Sequence, residues 1–147
     1  MKKTIVCVGS VWMKEDLAGQ KVYELLQHIA HPRGVEVYQG GLAGLNLLPF
    51  LEQGGRVVFV DSVTGYAPSG KVIVLSQQQI IESHCREHYG HGAGLPCLLA
   101  VLPRVCTGTL PSEIYLVGIE GECTSRSVQE AARTSLNIAA NGTSVHG

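Results

Sequence analysis

Short, unbroken apolar runs alternate along this chain with stretches whose apolar residues return every three or four positions. Residues 5–8 (IVCV) form the first run, closed by Gly9. A run of this length leading into a helix predicts a strand covered on both faces. After GSVWMKED, apolar residues fall at Leu17, Val22, Leu25, Leu26 and Ile29. That is helical spacing, with Asp16 at the N-terminal end, where the helix dipole favours an acid. His31-Pro32 and Gly34 end this helix. Residues 35–38 predict a second strand, and the glycine-rich GGLAG (40–44) leads into a helix over about 46–52. The run VVFV (57–60) predicts a third strand and meets Asp61. TGYAPSG supplies turn chemistry before a fourth strand at 72–75. Residues 77–83 predict a short helix, and HCREHYGHGAG reads as a polar loop. Leu95, Leu98, Leu99, Leu102 and Cys106 mark another helical face. The last strand is expected at 114–119 (IYLVGI) and the last helix over about 125–139, with the tail after about 140 frayed.

Strands and helices in this alternation predict one α/β domain over residues 1–147. The architecture expected is a three-layer sandwich, a mostly parallel five-stranded twisted sheet with helices on both faces. The connection from Asp61 to the strand at 72–75 is too short for a parallel crossover, so that strand is expected to be antiparallel or at an edge. In such sheets ligands meet the carboxyl ends of the strands. This selects the loop from Gly9 to Asp16, Asp61, and Glu120 with Glu122.

Composition narrows the function classes. At 147 residues, 45% apolar and 16% charged, the chain matches a compact globular domain and not a disordered one. Eleven basic against twelve acidic residues, with no basic patch, give nucleic acid no electrostatic foothold. Five cysteines, none in a C-x-x-C pair, suggest neither a disulfide framework nor a zinc ribbon. The opening MKKTIVCVGSVWMKED soon reaches charged residues and reads as a first strand, not a signal peptide. No apolar run approaches the roughly 20 residues that span a membrane. A cytoplasmic chain is expected, and no heptad or exposed apolar stripe argues against a monomer.

The loop after the first strand holds neither G-x-G-x-x-G nor G-x-x-x-x-G-K-[ST]. It offers adjacent acids, Glu15 and Asp16, which are either functional or an acidic helix N-terminus, and the lone Trp12, which either contacts a peptide or packs on the sheet. Asp61 follows an apolar run, and a carboxylate there must be paired, hydrogen-bonded or metal-bound. The alternative is that it caps the turn at Thr64-Gly65. His84, His88 and His91 cluster with Cys85 and Glu87. They read as a self-contained metal site, as a surface loop, or as the source of one histidine that joins Asp61 and Asp16 in mixed oxygen and nitrogen ligation. Ser10 lacks a G-x-S-x-G elbow, and Cys7 lies inside an apolar strand as packing.

Five blocks follow in order over roughly residues 4–125: the strand and Gly9 followed by Glu15-Asp16, GGLAGLNLL (40–48), VVFVDSV (57–63), HGAGLPCLL (91–99) and IYLVGIE (114–120). Together they resemble the hydrogenase maturation endopeptidases. The resemblance implies a cytoplasmic, aspartic-type, metal-dependent endopeptidase that trims the C-terminus of a nickel–iron hydrogenase large-subunit precursor. It implies metal contact and catalysis by Asp16, Asp61 and His91, with the nickel supplied by the precursor rather than held by the free enzyme. It picks His91 out of the histidine cluster and leaves His84 and His88 as surface or substrate-contact residues. Glu15, Trp12, Gly40, Gly41 and His88 are candidate substrate contacts. Ser10, Leu17 and Gln39 depart from the family's pattern. That leaves a non-catalytic factor that checks metal loading, or a small-molecule hydrolase, as alternative functions.

Overall fold

The structure, a computed structural model, describes residues 1–9, 17–42, 44–83 and 94–143. In chain order the elements are β1 (Lys3–Val8), α1 (Leu17–Leu26), β2 (Val35–Gly41), a 3₁₀ helix (Leu45–Leu51), β3 (Arg56–Val63), β4 (Val72–Ser76), α2 (Gln77–Ser83), α3 (Gly94–Val105), β5 (Glu113–Glu120) and α4 (Ser125–Asn141). The five strands form one sheet in the order β2-β1-β3-β5-β4. All neighbours are parallel except β4, which runs antiparallel to β5 at the edge. The predicted sandwich and its one antiparallel edge strand are both present.

Alternation along the central strands divides the core. Val6, Val57, Phe59 and Leu116 face the 3₁₀ helix, α2 and α3. Ile5, Cys7, Val58, Val60 and Val117 face α1 and α4. Because both sides are covered, β1, β3 and β5 read as continuous apolar runs. α3 leaves Val101 and Val105 exposed at 40% and 36%, and Cys97 is exposed one turn earlier. This outward apolar stripe was not expected from the sequence, because the same helix also carries a leucine-rich buried face.

Several element boundaries differ from the sequence reading. α1 stops at Leu26, and Ile29, assigned to its apolar face, is exposed. The imidazole Nε2 of His31 lies 2.5 Å from the Leu26 carbonyl, meeting one of the acceptors the helix end leaves open. The helix expected at 46–52 is a 3₁₀ helix holding Pro49. α4 runs through Asn141, and the Gly142 amide donates to the Ile138 carbonyl at 2.7 Å. Residues 144–147 lie outside the described residues.

An ion pair ties the C-terminal helix to the amino ends of the strands. Arg56 opens β3, is 9% exposed, and donates to the Ala139 carbonyl and, through Nη2, to Glu113 Oε2 at 2.9 Å. Tyr115 donates its hydroxyl to the other oxygen of Glu113 at 2.7 Å. The hydrogen bonds from Arg56 and then Tyr115 hold the Glu113 carboxyl below its ordinary value of 4.5. A lowered folded-state value stabilises above about 4.5, and the gain is lost as pH falls through that lowered value. Glu113→Gln is therefore expected to cost about 1–2 kcal/mol near neutral pH. Urea unfolding at several pH values should show the difference from wild type closing as pH falls from 4.5 through the lowered value of Glu113.

Candidate functional site

The connections out of β1 and β3 leave in opposite directions. β1 leads through α1 to β2 on one side, and β3 leads towards β4 and β5 on the other. The carboxyl ends of β1 and β3 therefore flank a topological switch point, where open α/β sheets bind ligands. Asp61 stands there. The β1–β3 ladder ends at Cys7↔Val60, so Asp61 is the first β3 residue past it, while it stays in register with Gly118 of β5. The apolar run predicts a strand that gives way at Asp61, but β3 continues to Val63 because Ser62 and Val63 still have β5 partners, Ile119 and Glu120. Asp61 is 6% exposed, and its Oδ1 accepts the Ser62 amide at 2.7 Å. Such a bond fixes a carboxylate's orientation, as outer partners do for metal-ligating carboxylates.

Two contacts pin the ends of the segment that contains Trp12, Glu15 and Asp16. The Gly9 amide donates to the Gly41 carbonyl at 2.8 Å. α1 begins at Leu17 and presses Gly19 so closely on β1 that a Cβ there would lie 1.9 Å from the Val8 carbonyl oxygen. Trp12, Glu15 and Asp16 themselves lie outside the described residues, as do the cluster His84, Cys85, Glu87, His88 and His91. In chain order Asp16 directly precedes α1, and His91 comes three residues before α3. Among the described residues no group of three His, Cys, Asp or Glu is placed to hold a metal ion.

Gly40 and Gly41 have local duties at the same edge. A Cβ on Gly40 would meet Val6 Cγ1 at 2.7 Å and Leu47 Cδ2 at 2.9 Å, so only glycine lets β2 end against this part of the core. The Gly40 carbonyl accepts from Asn46 Nδ2 at 2.8 Å. Gly41 has φ 69°, the left-handed region that glycine enters without strain. Gln39 donates its amide to the Gln20 side chain of α1.

The turn after β3, for which Asp61 was one candidate cap, is held by Glu120. Its Oε2 accepts the Gly65 amide at 2.9 Å, and its Oε1 accepts those of Tyr66 and Ala67 at 2.8 and 3.1 Å. The sequence signals Glu120 as an acid at a strand's carboxyl end and is silent about the amides it gathers. Burial pushes the Cys7 thiol up to about 12, so Cys7 packs and is not a thiolate nucleophile. Burial also raises Cys123, against the opposing pull of Lys21.

An α/β protein with a buried acid at the sheet's switch point belongs to the class of open-sheet proteins whose ligand site is built at the carboxyl ends of the strands. The family model described as HycI, hydrogenase maturation protease, matches residues 20–141, and the chain belongs to that family. The Hydrogenase 2 maturation protease of Escherichia coli K12 is 26% identical over 122 residues, covering 81% of this chain and 73% of that one. The hydrogenase expression/formation protein HupD of Rhodobacter capsulatus is 26% identical over 118 residues, covering 79% of this chain and only 55% of its own. Among solved structures, the hydrogenase maturating endopeptidase HybD of E. coli superposes with TM-score 0.72 at 21% identity, over 93% of this chain and 88% of that one, which speaks for the fold. The [NiFe] hydrogenase maturation protease HybD of Thermococcus kodakarensis gives TM-score 0.64 at 25% identity, over 95% and 97%. No helix among the described residues is long and apolar enough to cross a membrane.

The Gly19 contact yields a stability test of how the site is framed. Gly19→Ala forces α1 off the end of β1 and is expected to cost about 3 kcal/mol, read as a lower urea midpoint with an unchanged m value. An unaltered midpoint would show that α1 does not need this approach.

Proposed function

We propose that this protein is a cytoplasmic, nickel-dependent endopeptidase that removes the C-terminal peptide from the large-subunit precursor of a nickel–iron hydrogenase. The observation that carries this reading is a buried carboxylate, Asp61, at the switch point of the sheet, in a chain that belongs to a protease family. The relatives' names supply the substrate class. The nickel is part of the substrate, brought by the precursor in its own site.

In this reading Asp16, Asp61 and His91 complete the coordination of that nickel and so dock the scissile bond beside it. Two carboxylates and one imidazole suit a divalent transition metal. Asp61 fits a donor's part, since it is held in one orientation by its bond from Ser62 and shielded from bulk water. The precursor's nickel supplies a Lewis acid that polarises the scissile carbonyl or acidifies the attacking water. The protein's own share is to orient: two acids and a neutral imidazole fix where the metal-bearing end of the precursor rests. Cleavage then depends on the metal being present, which makes the step a check on nickel loading. Trp12, Glu15, Gly40, Gly41 and His88 are the proposed contacts to the precursor chain.

The test is intact mass spectrometry of nickel-loaded and nickel-free precursor incubated with the protein. Loss of one C-terminal peptide is expected from the loaded precursor alone, and Asp61→Ala or Asp16→Ala should abolish it. Full cleavage by Asp61→Ala would sink the scheme, and a stable complex without cleavage would favour a factor that only checks loading. His91 must be neutral to ligate, so the cleavage rate is expected to fall as pH drops below about 6. A rate that stays flat from pH 7.5 to 5 would remove His91 from the ligand set.

A further inference from the structure

Glu120 is the last residue of β5 and is 6% exposed, a charge kept almost wholly from water. Its carboxylate gathers three successive amides, those of Gly65, Tyr66 and Ala67, at 2.8–3.1 Å. Its main chain is held at the far end of the same connection. The Glu120 amide donates to the Lys71 carbonyl at 2.8 Å, and the Glu120 carbonyl accepts the Gly70 amide at 2.7 Å. Next to it, the Glu122 amide donates to Ser69 Oγ at 2.9 Å. Gly121, at φ 62°, permits this close pass, because a Cβ there would lie 2.5 Å from that oxygen. Residues 64–71, the whole connection from β3 to β4, are thus fastened at both ends to one residue of β5.

We propose that Glu120 is a positioning residue of the peptidase site, holding the connection after β3 as a fixed wall beside Asp61 against which the precursor chain is oriented. The inference rests on the peptidase reading above. Asp61 lies two residues before Val63, and Val63 is in register with Glu120, so the wall begins where the strand bearing Asp61 ends. Tyr66, carried on the clamped turn, lines a cleft of about 170 Å³ with Leu75, Gln79, Glu82 and Ser83. The clamp therefore fixes the side of this cleft that the 64–71 connection forms, facing β4 and α2. An anionic acceptor suits this task because successive N–H groups turned to one point form an anion nest. A neutral side chain offers fewer acceptor lone pairs for three donors.

Glu120→Gln keeps the shape, removes the charge and turns an N–H₂ towards the amides, while Glu120→Asp keeps the charge on a shorter stem. Amide exchange resolved by NMR and initial rates on nickel-loaded precursor are measured together for wild type and both variants. For Glu120→Gln, the amides of Gly65, Tyr66 and Ala67 are expected to exchange roughly tenfold faster or more, with protection across β3 and β5 retained. kcat is expected to fall roughly 10–100-fold while KM moves little, and Glu120→Asp should recover part of that loss. Unchanged kcat in folded Glu120→Gln, or unchanged exchange at the three amides, overturns the assignment while leaving the peptidase reading intact. Wild-type protein that cuts no precursor removes the peptidase reading and this assignment with it.

Discussion

A parallel sheet covered on both faces leaves its central strands with no water to solvate a charge, so each ionised group admitted there must be matched by local partners. Among the described residues three buried charged side chains stand at or near strand ends. Arg56 at the amino end of β3 is answered by Glu113 and the Ala139 carbonyl. Asp61, near the carboxyl end of the same strand, takes the Ser62 amide, and Glu120 at the end of β5 takes three amides from the turn after β3. The division of labour follows from where each sits. The Arg56 cluster secures the C-terminal helix at the edge remote from the switch point. The two acids stand at the edge where connections diverge, one at the crevice itself and one behind the wall beside it.

The layout of strands and helices was open to reading because each central strand is buried on both faces and so is uniformly apolar. Helices α2, α3 and α4 were legible within a residue or two for the complementary reason, an apolar stripe broken by turn chemistry. What the pattern missed depends on contacts between residues distant in sequence. β3 outlasts its apolar run because β5 still pairs with Ser62 and Val63. α1 stops short of Ile29, although the periodicity continues, and the His31 ring meets the freed Leu26 carbonyl. The segment around Pro49 winds as a 3₁₀ helix, which apolar spacing over seven residues does not distinguish from an α-helix.

The candidate site was legible in part. An acid placed after VVFV is conspicuous by composition, and Asp61 stands where the sheet's carboxyl edge opens. Asp16 and His91 lie outside the described residues, so they enter through their matching places in the family's motif. The position of Glu120 at a strand end is visible in the sequence, but the three amides that converge on it come from more than fifty residues away. Gly19 and Gly40 are equally silent in one dimension, since each is fixed by an approach of another element that leaves no room for a Cβ.

On the proposed function, the carboxyl edge of the sheet recognises a metal carried by the substrate. Nickel K-edge X-ray absorption on loaded precursor, alone and in complex with this protein, tests that recognition at the metal itself. Complex formation is expected to add oxygen and nitrogen scatterers near 2.0–2.1 Å, roughly the distances such ligands keep to divalent metals, with the carboxylate contribution lost in a complex formed with Asp61→Ala. A nickel shell identical in free and bound precursor would contradict it, placing recognition in the polypeptide and not in the metal.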